Sequence, residues 1–232
     1  MSKLGPILAG ASVCLALEIV LVAPAGAQEV PKALLPRMVV PDASLVLLGD
    51  ALRHKSAFFS TPADAAASTP DPDDTGADMR RRGRLAGYVR DRTATGAFSL
   101  RAPKGLLLVG TSAILWRDAR SAAASIERDI ADYKRFRGKT LQGDLLVSFA
   151  ATKVRSLGLG AALLHIRGRR TGGTDQFITS VVFRVRSLRG NAIVVRSDKR
   201  SANATALQLA KQLRSRMLAA LRKEAAGRAA AV

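Results

Sequence analysis

A chain of 232 residues and 24.5 kDa, with 48% hydrophobic residues and a mean hydropathy of +0.10, holds enough apolar material for one sizeable core or two small ones, which excludes disorder over most of its length. Lys and Arg number 37 against 18 Asp and Glu, a net charge of +19, yet aromatic residues make up only 4%, which argues against a nucleic-acid reader that stacks bases on aromatic side chains. One Cys and two His exclude a disulfide scaffold and a zinc site built from several Cys and His side chains.

Lys3 precedes an apolar run over residues 4–22, and the small residues Ala23-Pro24-Ala25-Gly26-Ala27 follow, so Ala25-x-Ala27 has the form of a signal-peptidase site before Gln28. Residues 1–27 are read as a signal peptide and the mature protein as extracytoplasmic: secreted, periplasmic or associated with the cell envelope. The alternative is an uncleaved anchor, because the run is close to the roughly 20 residues that span a bilayer. Glu18 disfavours that alternative more than a leader, since a mid-helix carboxylate costs ~2–3 kcal/mol on insertion scales and a transient signal tolerates this better than a permanent span. Cys14 lacks a lipidation setting, with Ala11 where a Leu is needed and Val13 where a small residue is needed. The mature chain then contains no thiol, which suits an oxidising compartment and removes thiol catalysis. No later apolar run is long enough to span a membrane.

The charge belongs to the mature protein and is uneven. Residues 28–79 carry four bases against eight acids, a net −4, whereas residues 80–232 reach +23. The chain is divided accordingly into an N-terminal segment with a Pro/Asp-rich loop (28–79), an α+β core (80–224) and a flexible tail (225–232).

Within the segment, Pro41-Asp42 followed by Leu45 predicts a short helix. Residues 60–75 mix Pro, Ala, Ser and Asp and read as a surface loop. Thr75-Gly76-Ala77-Asp78 fits a capping box that opens a helix into Met79-Arg80-Arg81-Arg82. Residues 85–92 then read as a strand in which Tyr88 packs and Arg90 and Arg92 turn outward. After the Pro103-Lys104-Gly105 turn, residues 106–116 read as a buried strand. Asp118 or Ser121 caps a helix with the apolar stripe Ala119, Ala122, Ala123, Ile126, Ile130, Tyr133 and Phe136, ended by Gly138.

Residues 145–154 predict a further strand, Leu157-Gly158-Leu159-Gly160 a tight connection, and residues 161–167 the next strand. Thr171-Gly172-Gly173-Thr174 is a hairpin signal. Residues 176–186 alternate Phe177, Val181, Phe183 and Val185 against Ser180, Arg184 and Arg186, which predicts one core face and one basic face. Leu188-Arg189-Gly190-Asn191 is read as a turn into a strand at 192–196. Ser201 or Asn203 caps a long helix with the stripe Ala206, Ala210, Leu213, Met217 and Leu221. The sum is an α+β domain with an antiparallel sheet of about five to six strands packed with two main helices.

Leu34-Leu35-Pro36-Arg37-Met38-Val39, Gly83-Arg84-Leu85-Ala86-Gly87-Tyr88 after the Asp71-Pro72-Asp73-Asp74-Thr75 loop, and Leu188-Arg189-Gly190-Asn191-Ala192-Ile193-Val194-Val195 before the last helix resemble a group of exported bacterial proteins. The layout is similar to that of PsbP-like and LpqN-like secreted α+β domains. The resemblance implies a fold and supplies no catalytic residue.

Chemistry is sparse. Asp71 to Gly76 begins like a calcium loop, but Thr75 stands at position five and Arg82 at position twelve, where a bidentate Glu belongs, so a solvated loop capping the next helix is preferred. His165, flanked by Leu163, Leu164 and Ile166, reads as a satisfied structural histidine, and His54 between Arg53 and Lys55 as exposed; no Gly-x-Ser-x-Gly elbow accompanies them. Gly158-x-Gly160 and Thr171-Gly172-Gly173 are turns too short for nucleotide binding, and Asn203-Ala204-Thr205 is explained better as a cap than as a glycosylation acceptor. No catalytic residue, metal site or cofactor is expected.

The arginines carry the functional expectation. Arg167, Arg169, Arg184, Arg186 and Arg196 fall on neighbouring strands of the expected meander, and Arg forks suit phosphate and carboxylate groups. The reading is an exported, non-enzymatic protein that uses this Arg face to bind an anionic lipid, an envelope polymer or another lipidic envelope ligand. The alternatives are an accessory protein docking on an acidic partner protein and, last, a hydrolase whose site the sequence does not reveal. Ligand binding requires a concave apolar pocket rimmed by Arg, docking a flat Arg face, and solvated surface charge neither.

Overall fold

Leu106–Trp116, apolar or small at nearly every position, and Leu188–Arg196, apolar or small except at Arg189, Asn191 and Arg196, each form a strand buried on both faces. The computed structural model, which describes residues 30–46, 52–94, 105–141, 144–158, 160–170 and 173–230, sets these strands side by side in the middle of one antiparallel sheet. The expected leader (1–27), Pro103 and Lys104 of the expected turn, Leu159, Thr171 and Gly172 lie outside the described residues. In chain order the strands are β1 (His54–Ser60), β2 (Arg84–Thr93), β3 (Leu106–Trp116), β4 (Thr140–Leu141), β5 (Asp144–Lys153), β6 (Ala162–Arg170), β7 (Asp175–Val185) and β8 (Leu188–Arg196). Their order across the sheet is β1-β2-β3-β8-β7-β6-β5-β4.

The helices are α1 (Leu35–Met38), α2 (Asp42–Val46), α3 (Pro62–Ala66), α4 (Gly76–Arg81), α5 (Ala119–Arg135) and α6 (Asn203–Ala229). This overturns the expectation of five to six strands with two main helices. Among the described residues there are seven strands of at least seven residues, a two-residue β4, and four short helices beside α5 and α6. β1 escaped the sequence because its burial follows no alternation, only Ser60 being buried. α3 lies inside the expected loop at 60–75, where Thr61 and Asp64 form a capping box around Pro62 at the first turn. α4 begins with the Thr75–Asp78 capping box.

The expected turn at residues 188–191 is instead the start of β8, and the chain reverses at Arg186-Ser187 between the paired Val185 and Leu188. Gly190 sits inside the strand because the Phe183 ring lies over it: a Cβ there would stand 2.3 Å from Phe183 Cζ. This glycine makes room for a neighbour's side chain and bends nothing.

Side-chain parity decides what covers each face. On one face, Val181, Phe183, Ala192 and Val194 meet Leu209, Leu213 and Met217 of α6, and Leu35, Met38, Val39 and Val40, all 0% exposed, complete the same core. The stretch 30–79 is therefore not an appendage to residues 80–224. On the other face, Ile126, Ile130 and Tyr133 of α5 pack on Leu164, Ile166 and Val182. At the end of the chain α6 continues through residues 225–229, part of the expected tail.

Arg90 and Arg92 do not turn outward, since they share parity with Tyr88 and lie under the N-terminal segment. Arg92 grips Asp42 of α2 with Nε at 2.8 Å and Nη2 at 2.7 Å, and donates to the Leu52 carbonyl at 2.9 Å. Its hydrogen bonds hold the Asp42 carboxyl below the ordinary value of 3.8. On acidification the unfolded chain takes up that proton first, so the clamp stabilises the fold above this range and is lost as pH falls through the folded-state value. Asp42→Asn should lower Tm at neutral pH, and the deficit should vanish in acid; a deficit of equal size at both pH values would contradict the clamp.

Candidate ligand groove

The five arginines expected on neighbouring strands, with some sharing a face, fall into two groups. Arg167 and Arg196 are the cross-strand neighbours of Phe177, and Arg167 lies 5.8 Å from the centre of that ring. Both are committed to acids: Arg167 Nε donates to Asp175 at 3.0 Å and Arg169 Nε to the same carboxylate at 2.9 Å, while Arg196 reaches Asp198 at 2.6 and 2.9 Å. Bonds from Arg169 and Arg167 hold the Asp175 carboxyl down, and bonds from Arg196 do the same for Asp198.

Arg184 has the opposite parity, faces the α5 side opposite Arg189, and stands seven positions from Phe177, about 24 Å along the strand. Arg186 occupies the β7–β8 turn with φ 54°. Of the expected arginines, Arg167, Arg169 and Arg196 share one face, while pleating puts Arg184 on the other and Arg186 lies in the turn.

The remaining candidates resolve into structural roles. His165 Nε2 lies 2.7 Å from Asn203 Oδ1, so Asn203 joins α6 to β6 and does not cap its own helix. His54 is exposed on β1. In the Asp-rich loop Asp71 pairs with Arg135 at 2.5 Å, and Asp74 pairs at 2.5 Å with Arg82, the residue that stood at the twelfth calcium position. Among the described residues no group of three or more His, Cys, Asp or Glu is arranged to hold a metal.

A buried polar layer lies between α5 and the central strands. Arg189 Nη2 donates to Asp129 Oδ2 at 2.9 Å, and Arg84 Nη2 to Ser60 Oγ at 2.8 Å. Burial lowers Arg84 to about 10 and Arg189 to about 9, and raises the Asp129 carboxyl. The sequence held a sign of this layer: Asp129 falls among Ile126, Ile130 and Tyr133 on the apolar stripe, where a carboxylate needs a buried partner. The Arg189–Asp129 bond ties α5 to β8.

A concave feature lies on the other face, where α1 crosses α6. A 3-10 turn at Lys32–Leu34 leads into α1, whose four residues leave its last carbonyls without helical partners. Arg216 of α6 supplies them, with Nε donating to the Val39 carbonyl and Nη2 to the Arg37 carbonyl, each at 2.8 Å. Next to this strap opens a groove of about 500 Å³ lined by Leu34, Arg37, Arg216, Ala219, Ala220, Lys223 and Glu224. The α6 residues recur at helical spacing on one side, and two alanines let the helix surface recede. Arg37 and Lys223 are exposed at the rim, while Glu224 is occupied by Arg228 at 3.0 Å. Sequence reading missed the groove because its two sides are about 180 residues apart, with Arg216 on the polar flank of a helix whose apolar stripe was the visible signal.

No family model matches the chain, and no curated protein matches it in sequence. Among solved structures it is similar to the extracellular domain of PknH from Mycobacterium tuberculosis, with 10% identity, a TM-score of 0.54, and coverage of 82% of this chain and 97% of that one. The likeness is one of fold, to a bacterial extracellular domain. It bears on architecture and not on the PsbP-like or LpqN-like resemblance. No helix among the described residues is long and apolar enough to cross a membrane.

Removing one partner of the buried pair reveals the cost of leaving the other charge unpaired. Asp129→Ala leaves the Arg189 guanidinium buried without its carboxylate and should cost about 3–5 kcal/mol in urea unfolding, whereas the double replacement Asp129→Leu with Arg189→Met should recover most of that loss. A loss below about 1 kcal/mol for the single variant would remove the pair from the account.

Proposed function

We propose that this chain is an exported, non-enzymatic domain that holds a small amphipathic anion of the cell envelope in the groove between α1 and α6. The ligand class is an aliphatic body ending in a carboxylate or phosphate. The observation that carries the reading is the groove's composition: Leu34, Ala219 and Ala220 form an apolar bed, and Arg37, Arg216 and Lys223 outnumber Glu224 around it. Its size falls within the range of about 300–1,000 Å³ usual for small-molecule sites. Export is supported by the Ala25-x-Ala27 leader pattern and by a fold shared with a bacterial extracellular domain.

In this reading Arg37 and Lys223 attract the head group and bind it with charge-assisted hydrogen bonds. Arg216 keeps α1 at the height that leaves the groove open. The aliphatic body displaces water from the alanine-lined surface, and the binding is selective for sign through the rim and tolerant of chain shape through the bed. Docking on an acidic partner through the five arginines is the weaker reading, because Arg167, Arg169 and Arg196 already meet Asp175 and Asp198.

Titration calorimetry with dodecyl phosphate tests this. Wild-type protein should bind it, Arg37→Ala with Lys223→Ala should weaken binding by roughly tenfold or more from two lost charged contacts, and Ala220→Trp should block the bed. Raising salt to about 0.5 M should weaken binding through screening of the exposed rim. Equal affinity across the wild type and these variants would overturn the assignment of the groove.

A further inference from the structure

The outer edge of β1 remains without a role in the fold or in the groove. Among the described residues β1 ends the sheet and pairs with β2 alone, and six of its seven residues are exposed or half-buried. Among the described residues the exposed large hydrophobic side chains are Phe58 at 36%, Phe59 at 42% and Leu85 at 49%, all on β1 or the adjoining end of β2. An edge strand with exposed aromatics and with neither Pro nor Gly is a template for pairing with another strand.

We propose that β1 pairs antiparallel with β1 of a second copy of this chain, about a two-fold axis through Ala57. Directly opposite residues of an antiparallel pair lie on the same face of the sheet. When both strands have the same sequence and the two sheets continue face for face, opposite residues must therefore share parity, which puts the axis on a residue and not between two. Ala57 is the midpoint of His54–Ser60, so this register alone engages all seven residues. It sets His54 opposite Ser60, Lys55 opposite Phe59, Ser56 opposite Phe58 and Ala57 opposite itself.

Within the strand pair this register keeps like charges from standing directly opposite. No two cations stand opposite one another, and the two Lys55 side chains lie four positions apart, about 14 Å, beyond the screening length of roughly 8 Å at physiological salt. Each Lys55 instead faces a Phe59 ring. That ring is already held edge-on by Tyr88, with centroids 5.0 Å apart, and already attracts a cation, Lys32 Nζ at 5.0 Å. The pairing is isologous and closes as a dimer. The net charge of +19 opposes association at long range, so added salt strengthens the dimer.

The test uses the full chain with Cys14→Ser. Introducing Ala57→Cys should give an intermolecular disulfide roughly tenfold faster than Lys55→Cys under mild oxidation, because facing Cα atoms within about 7 Å can be bridged and the Lys55 pair cannot. Sedimentation of the unmodified protein should show a monomer–dimer equilibrium shifted toward dimer by salt, and Phe58→Lys, checked for folding by circular dichroism, should return it to monomer. Three results would overturn the proposal: a monomer at every salt concentration, an open polymer formed by β1 on the partly open edge of β5, or a dimer that cross-links no faster at Ala57 than at Lys55. Strand pairing with an acidic extended peptide while the protein stays monomeric would overturn it equally.

Discussion

β3 and β8 are buried on both faces, and the fold follows from the need to cover each of them. A sheet with one wet face would leave Val109, Val194 and Ala192, or Ile114 and Ile193, in water. α6 covers β7 and β8 on its side, and α1 and α2 of the N-terminal segment lie against β2 and close that face. Leu35, Met38, Val39 and Val40 are there because the sheet demands them, and Arg216 and Arg92 tie them down by satisfying carbonyls and a carboxylate that short helices cannot satisfy themselves. The groove is a by-product of this closure: two pieces of chain distant in sequence lie against one another with alanines between.

The excess of base has a similar origin. Asp42, Asp71, Asp74, Asp129, Asp175 and Asp198 each meet an arginine, so a large part of the acidic complement serves to place guanidinium groups. Exposed pairs of this kind contribute at most about 1 kcal/mol each, and their value is in geometry. The buried Arg189–Asp129 pair differs, because its partners have no water to fall back on. The arginines most visible in sequence are thereby the ones already used, and the cations at the groove rim were the less conspicuous Arg37 and Lys223.

Strong local chemistry made parts of the fold legible. The Thr75–Asp78 capping box, the Asp118 cap with its stripe through Tyr133, and the apolar run at residues 106–116 appear where the sequence put them. What escaped depended on long-range partners. Gly190 and Asn191 spell a turn locally, yet Phe183 on the next strand requires a glycine within β8. Residues 54–60 carry no period because an edge strand is buried on neither face. Arg90 and Arg92 seemed to face solvent because nothing nearby in sequence announces that α2 lies over them. Arg184 parts from Arg167 and Arg196 by parity, since a one-position difference along a strand sends a side chain to the other side of the sheet.

The proposed ligand site is the seam between α1 and α6, away from the arginine-bearing strands. Backbone hydrogen exchange with and without dodecyl phosphate locates the ligand without any substitution. The account predicts added protection confined to residues 34–40 and 216–224, with β6 and β7 unchanged. Protection centred on Arg167, Arg169 and Arg196, or no change anywhere, would contradict it.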